Sequence, residues 1–90
     1  MNIALFGRHP SPAEHIVFPE GIPEDKMDDY SWMKAVCSQW LYDNDPDWVT
    51  LYVEGFTPAL IAFLQAWDDD AMLKLKHYQP DGTYLIQMWP

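Results

Sequence analysis

Two polar residues that could hold an anion and move a proton follow the first apolar run of this sequence. Arg8 and His9 come directly after residues 2–7, and Arg8 is the only arginine in the chain. A guanidinium binds phosphate through two parallel hydrogen bonds, and histidine is the usual general acid or base near neutral pH. We therefore predict catalytic roles for Arg8 and His9, with Gly7 and Ser11 contacting a ligand. The alternative is that Arg8 pairs with an acid and His9 caps a turn.

A second candidate site lies where the apolar residues 48–53 give way to Gly55, Phe56, Thr57 and Pro58. Threonine favours the position before a helix and proline favours its first turn. A helix that begins here presents unpaired main-chain N–H groups, which bind phosphate, and glycine lets a ligand approach the backbone. Gly55, Phe56 and Thr57 are therefore predicted ligand contacts. The same residues are also common as a purely structural connection, and the sequence leaves both interpretations open.

His77 and Tyr78 end a third stretch of apolar residues. Side chains alternate across a strand, so His77 and Tyr78 face opposite sides and only one of them can point into a given site. We predict His77 as a second candidate acid or base and Tyr78 as a ligand contact. The alternative is a cross-strand pair between His77 and a residue near Tyr84. Lys74 and Lys76 are interpreted as solvated charges on one face of the strand.

The sequence predicts neither a metal site nor a cofactor. The three histidines have none of the spacings typical of paired metal ligands. The acidic run at 68–70, which includes Asp69, lacks the loop glycine and closing glutamate of an EF-hand, and we interpret it as a solvated helix end. The single cysteine, Cys37, permits no internal disulfide, and its apolar neighbours predict a core position.

The elements that must position these residues alternate along the chain. Apolar runs predict strands at 2–7, 48–53, 72–78 and 83–89, and helical spacing predicts helices that begin near 29–31 and span 59–67. The prolines between 8 and 28 predict a long irregular loop, with room for a short edge strand at 15–18. The turn at 79–82 predicts that the last two strands form a hairpin.

This order predicts a single α/β domain spanning residues 1–90. Its fold would be a small Rossmann-like sheet, β-α-β-α-β-β, with a C-terminal antiparallel hairpin. With the four strands numbered in chain order, the simplest spatial order is 2-1-3-4, and 3-1-2 variants remain open. Ligands bind such sheets at the carboxyl ends of the parallel strands. We therefore expect the candidate residues to meet at one edge of the sheet.

Charge excludes several classes of partner. The chain has fourteen acids and five bases, a net charge of −9, which argues against general nucleic-acid binding and against an anionic membrane surface. No apolar run is long enough for a membrane span, and the N-terminal residues lack the pattern of a signal peptide. The sequence therefore predicts a cytoplasmic protein without membrane association.

Aromatic residues are unusually frequent, with five Trp, five Tyr and four Phe making up 16% of the chain. A core formed by 90 residues has difficulty burying so many rings, so some of them should line a ligand site or a subunit interface.

Two of these stretches together resemble the small CRISPR-associated Rossmann-fold (CARF-like) proteins, including the stand-alone ring nucleases. The resemblance is carried by a first strand that ends in Gly-Arg-His-Pro at 7–10 and by Gly-Phe-Thr-Pro-Ala-Leu at 55–60, which opens a helix. It implies a cyclic oligoadenylate ligand bound across a homodimer. It also implies a metal-independent ring nuclease that cleaves this second messenger of CRISPR-type antiviral defence.

The resemblance gives each candidate a role. Gly55, Phe56 and Thr57 would hold a phosphate through main-chain donors, and Arg8 would stabilise the negative charge of the phosphorane. His9 or His77 would act as base or acid while a ribose 2′-hydroxyl attacks the neighbouring phosphodiester.

Two other functions fit the same sequence. One is a non-catalytic, acidic, phage-type anti-defence protein that binds and blocks a host defence protein, since an acidic surface can imitate nucleic acid. The other is a structural or regulatory interaction module. A ligand-binding enzyme should have a neutral or positive cleft beside Arg8, His9 and Gly55, whereas a nucleic-acid mimic should have one continuous acidic face and no such cleft.

Overall fold

The structure, a computed structural model, describes residues 1–68 and 70–90, so Asp69 of the acidic run lies outside it. The elements in the described residues are β1 (Asn2–Ala4), β2 (His15–Ile16), α1 (Tyr30–Asn44), β3 (Trp48–Tyr52), α2 (Thr57–Ala66), β4 (Met72–Tyr78) and β5 (Tyr84–Trp89). A short 3₁₀ turn, Glu24–Lys26, precedes α1. The chain therefore folds as an α/β protein, as predicted.

One mixed sheet contains all five strands in the order β2-β1-β3-β4-β5. The first four are parallel to their neighbours, and β5 pairs antiparallel with β4 through Tyr78–Tyr84 to Leu73–Trp89. The predicted C-terminal hairpin is confirmed, and the short edge strand predicted at 15–18 forms but covers only His15–Ile16. The predicted order 2-1-3-4 of the longer strands is wrong, because β3 lies between β1 and β4. The short β2 takes the outer position beside β1, so the winding direction still reverses at β1.

Local sequence explains where the helices begin and end. α1 starts after Asp29, whose carboxylate accepts the main-chain N–H of Trp32 at 3.0 Å. It ends at Asn44, and Asp45 follows as the C-cap in a left-handed conformation. The second helix begins earlier than predicted. Phe56 occupies the N-cap of α2 and Thr57 is its first residue. The Phe56 ring packs edge-on against Phe6, 6.2 Å between centroids.

The hydrophobic core lies between both helices and one face of the sheet. Right-handed crossovers that run in the same direction place their helices on the same side, and α1 packs against α2 there. The buried side chains of this core include Ile3, Leu5, Met33, Cys37, Val49, Leu51, Phe63, Leu73 and Leu75. Cys37 is completely buried, as its apolar neighbours predicted. No helix in the described residues combines the length and the apolarity that a membrane crossing requires.

The other side of the sheet, called here the open face, carries the even-numbered residues of the paired strands. The registers align Ala4 with Tyr52, Tyr52 with Lys76, and Tyr78 with Tyr84. No described helix lies here. Residues of the β1–β2 loop cover one end of this face, where Ala4 and Tyr52 are buried. At the other end, Met72 remains 63% exposed.

Candidate functional site

A cleft of about 470 Å³ lies on the open face at the carboxyl ends of β1, β3 and β4. It is called here the tyrosine cleft, after Tyr52, Tyr78 and Tyr84. Loop residues 9–11, the β3–α2 connection at 53–55 and Ala4 complete its lining. Its volume is within the range of roughly 300–1,000 Å³ that small-molecule sites occupy. It lies where the winding reverses, the position at which open α/β sheets bind ligands.

Three aromatic rings form one wall of the tyrosine cleft. Tyr84 meets Tyr52 edge-on with 5.3 Å between ring centroids, and it meets Tyr78 edge-on at 5.8 Å. The Lys76 ammonium lies 5.4 Å from the Tyr52 centroid and 5.9 Å from that of Tyr84. Lys76 is thus a cation held against aromatic faces, rather than the solvated charge that the sequence predicted.

Four of the predicted site residues line this cleft: His9, Ser11, Gly55 and Tyr78. They come from three separate parts of the chain, the β1–β2 loop, the β3–α2 connection and the end of β4, and the sheet brings them together as the sequence predicted. Ser11 also shapes its own loop, since its hydroxyl accepts the main-chain N–H of Ala13 at 3.3 Å. The imidazole of His9 is exposed, and it is the only histidine among the described lining residues.

Glu54 occupies the main-chain donors that follow β1. Its carboxylate accepts the N–H groups of Phe6 at 2.9 Å, Gly7 at 3.1 Å and Arg8 at 2.9 Å. Gly7 has φ = +70°, which turns successive N–H groups toward one point and creates an anion-binding nest. The nest therefore holds an internal carboxylate, and Gly7 contributes to the site through Glu54 rather than by lining the cleft.

Arg8 and Phe56 lie beside the cleft rather than in it. The Arg8 guanidinium lies 4.9 Å from the centroid of the Phe6 ring, and Phe6 in turn packs against Phe56. Neither Arg8 nor Phe56 is a lining residue of the tyrosine cleft. Thr57 is also outside the lining and makes no side-chain capping bond at the start of α2.

His77 lies on the opposite side of β4 from Tyr78, as strand alternation predicted. Its Nε2 is 3.0 Å from Oε1 of Gln87, a residue of β5 on the same face. His77 thus makes a cross-strand contact on the hairpin, as the alternative interpretation expected, although its partner is Gln87 rather than a residue beside Tyr84. The described geometry keeps His77 apart from His9 and the tyrosine cleft.

Sequence reasoning missed Tyr52, Glu54, Lys76 and Tyr84. Tyr84 could have been predicted from the register of the hairpin, because a turn centred on 80–81 places it opposite Tyr78 and on the same face of the sheet. The role of Glu54 had no local signal, since the N–H groups that it accepts lie 46 to 48 positions away in sequence.

A larger cleft of about 650 Å³ lies near the C-terminal ends of α1 and α2. Asp45, Asp47, Asp68 and Asp70 line it, together with Trp67, and it is called here the acidic cleft. None of the predicted site residues reaches it. Within residues 1–68 and 70–90, no group of three or more His, Cys, Asp or Glu side chains is arranged to hold a metal ion.

Comparison with known proteins gives no match to any family model, to any curated protein or to any solved structure.

Proposed function

We propose that this protein binds a nucleotide in the tyrosine cleft. The observation that carries the proposal is the meeting of His9, Ser11 and Gly55 with three tyrosines at the carboxyl edge of the sheet. Every nucleobase has a π-face that stacks on an aromatic side chain. The exposed Tyr78 ring offers such a surface, and the Lys76 ammonium is the nearby partner for a phosphate.

The charge around the tyrosine cleft is compatible with an anionic ligand despite the net charge of −9. Glu54 is the acid in the described lining, and three main-chain N–H groups already hydrogen-bond its carboxylate. Lys76 and His9 supply positive or protonatable groups nearby. The sequence hypothesis required a cleft of this kind for a ligand-binding protein and a continuous acidic face for a nucleic-acid mimic.

The narrower form of the proposal is that the ligand is a cyclic oligoadenylate, as the resemblance to CARF-like ring nucleases implies. His9 would remove the proton from a ribose 2′-hydroxyl while the 2′-oxygen attacks the adjacent phosphorus. A 2′,3′-cyclic phosphate forms, the bond to the 5′-oxygen breaks, and that oxygen takes a proton from the imidazolium. The step requires no metal. Since Arg8 and His77 lie outside the cleft, His9 is the proposed catalytic residue.

Thermal-shift and calorimetric titrations with AMP and cyclic tetra-adenylate test binding. A ligand that binds the folded state raises Tm. Tyr78→Ala removes a ring that is 65% exposed, and Tyr42→Ala, which removes a ring that is 83% exposed on α1, is the matched control. We expect at least about tenfold weaker binding for Tyr78→Ala and unchanged binding for Tyr42→Ala. The proposal is contradicted if neither AMP nor cyclic tetra-adenylate binds, or if both variants lose affinity equally.

Cleavage is a separate test. Cyclic tetra-adenylate incubated with the protein and EDTA should yield linear products, and His9→Ala should abolish them. His77→Ala is the control and should leave the rate unchanged. Binding without cleavage would retain the nucleotide site and reject the ring-nuclease form.

A second candidate function is favoured by the acidic cleft. Four aspartates lie together near the ends of both helices, where the helix macrodipoles add further negative potential. This arrangement supports binding to a basic protein surface, which is the non-catalytic anti-defence alternative. Poly-L-lysine is a suitable probe. Its binding should weaken as salt rises and in an Asp45→Asn/Asp47→Asn variant, whereas an Asp25→Asn/Asp28→Asn variant should bind as the wild type does. Equal binding by both double variants would exclude a specific role for the acidic cleft.

A further inference from the structure

Strand β5 has the sequence of an interior strand but occupies an edge. It reads Tyr-Leu-Ile-Gln-Met-Trp and pairs only with β4 among the described strands. Leu85, Ile86 and Met88 are 61%, 54% and 47% exposed. Leu85 points to one face of the sheet while Ile86 and Met88 point to the other. Strands that are apolar on both faces are normally covered on both faces, so part of the cover of β5 is absent from a single chain.

The edge of β5 also lacks the features that keep sheet edges apart. Natural edge strands carry lysine, proline, a bulge or an inward charge that blocks further pairing. Residues 83–89 contain no Lys, Arg, Asp, Glu or Pro, although the chain as a whole has fourteen acids and five bases. The segment that is free to pair therefore carries no charged side chain, so two copies with net charge −9 can approach each other there without like charges facing across the seam.

The opposite edge of the sheet cannot receive β5. The outer strand there, β2, is only two residues long, too short to pair with the six residues of β5. Addition of one sheet to the next in an open series is therefore blocked. The self-complementary arrangement that remains is closed and has twofold symmetry.

We propose that β5 pairs antiparallel with β5 of a second copy of this chain and forms a continuous ten-stranded sheet. The twofold axis is perpendicular to the sheet, so the helices of both copies lie on the same side. Ile86 and Met88 of the two copies then meet on the open face, and Leu85 meets its counterpart on the helix side. This surface is independent of nucleotide binding.

The proposed pairing has a consequence for the tyrosine clefts. Tyr84 begins β5, so the two clefts lie at opposite ends of the antiparallel seam and act as separate sites. A ring ligand shared at the twofold axis, which the resemblance implies, is incompatible with this dimer. A stoichiometry of one nucleotide per chain is expected if the nucleotide proposal also holds.

Sedimentation equilibrium over a range of protein concentrations tests the pairing. The wild type should approach twice the chain mass of 10.5 kDa, and more strongly in 0.5 M than in 0.05 M NaCl, because salt screens the repulsion between acidic copies. Ile86→Lys should give a monomer. Ile61→Lys, at a residue of α2 that is 50% exposed, is the matched control and should remain dimeric. Circular dichroism confirms that each variant is folded.

A third variant distinguishes pairing along the edge from stacking of the open faces. Met72→Lys changes the open face away from the centre of β5 and should leave the dimer intact. Loss of the dimer in Met72→Lys, whether or not Ile86→Lys also loses it, would assign the interface to the open face and overturn the proposal. A wild-type chain that stays monomeric at 1 mM in 0.5 M NaCl would also overturn it.

Discussion

The carboxylate of Glu54 accepts the main-chain N–H of Gly7 at 3.1 Å. This contact joins the residues after β3 to the loop after β1, and the same carboxylate holds the N–H groups of Phe6 and Arg8. The loop that carries His9 and Ser11 into the tyrosine cleft is therefore anchored by a residue of the β3–α2 connection.

Glu54→Gln should weaken this anchor. The amide retains one acceptor oxygen but places an NH₂ group toward donors, so charge-assisted hydrogen bonds are lost. We expect the free energy of unfolding to fall by about 1–3 kcal/mol, measured by urea denaturation. Glu20→Gln, at an exposed residue, should unfold at the wild-type midpoint. Identical midpoints for the two variants would contradict the anchoring role.

Gly7 and Gly55 form a natural comparison. Gly7 has φ = +70°, and a Cβ there would lie 2.7 Å from Cδ1 of Ile16, whereas a Cβ at Gly55 would meet no atom within 4 Å. The end of the Ile16 side chain can move, so backbone strain dominates. Gly7→Ala should lower the free energy of unfolding by about 1–2 kcal/mol, and Gly55→Ala should change it by less than about 1 kcal/mol in either direction. Urea denaturation measures both, and equal effects would rule out the strain argument.

Cys37 should lower the free energy of unfolding as the pH rises through the alkaline range. Burial raises the pKa of the Cys37 thiol to about 12 from its ordinary value of 9.0. Above pH 9 the unfolded chain loses this proton while the folded chain keeps it, so the thiol contributes a loss of stability as pH rises from 9 toward 12. The loss approaches about 1.4 kcal/mol per pH unit.

Cys37→Ala removes this contribution, although the smaller side chain lowers stability at every pH. The measurement is urea denaturation of both proteins between pH 8 and pH 10.5. The free energy of unfolding of Cys37→Ala should decline less steeply above pH 9, because other alkaline groups act equally in both proteins. Parallel curves would refute the prediction.

Lys76 should distinguish nucleotides from nucleosides if the tyrosine cleft is a nucleotide site. Its ammonium is the cation held against Tyr52 and Tyr84, and it is expected to pair with phosphate. Lys76→Gln should weaken binding of AMP by about fivefold or more and leave binding of adenosine nearly unchanged. Lys74→Gln, two residues earlier on the same face of β4, is the control. Equal loss for both ligands would assign Lys76 a role in packing instead.

The sequence predicted the elements and the edge at which polar residues meet, because local patterns determine both. Strand alternation correctly separated His77 from Tyr78, and the first helix begins at Tyr30, within the predicted range 29–31. The strand order was not predictable from the same patterns. It depends on the two-residue β2. Because β2 pairs with one side of β1, β3 pairs with the other side of β1, and local sequence does not determine this arrangement.

The site was predicted in part for a related reason. His9 and Tyr78 lie at strand ends that sequence can locate, whereas no sequence pattern indicated that the Arg8 guanidinium lies over the Phe6 ring. Glu54 could not be identified, since its partners are brought near only by the parallel pairing of β1 with β3.

The β1–β2 loop lies where larger α/β proteins place a second layer of helices. Leu5 and Phe6 at its start belong to the apolar core, whereas the attachments of residues 7–14 include the Glu54 carboxylate and the hydrogen bond from Glu14 N–H to the Asn2 carbonyl at 2.9 Å. Residues 7–14 of the loop can therefore detach while the core stays folded. Its amide protons should exchange with deuterium through a local opening that costs less free energy than global unfolding, and an occupied cleft would slow that exchange first.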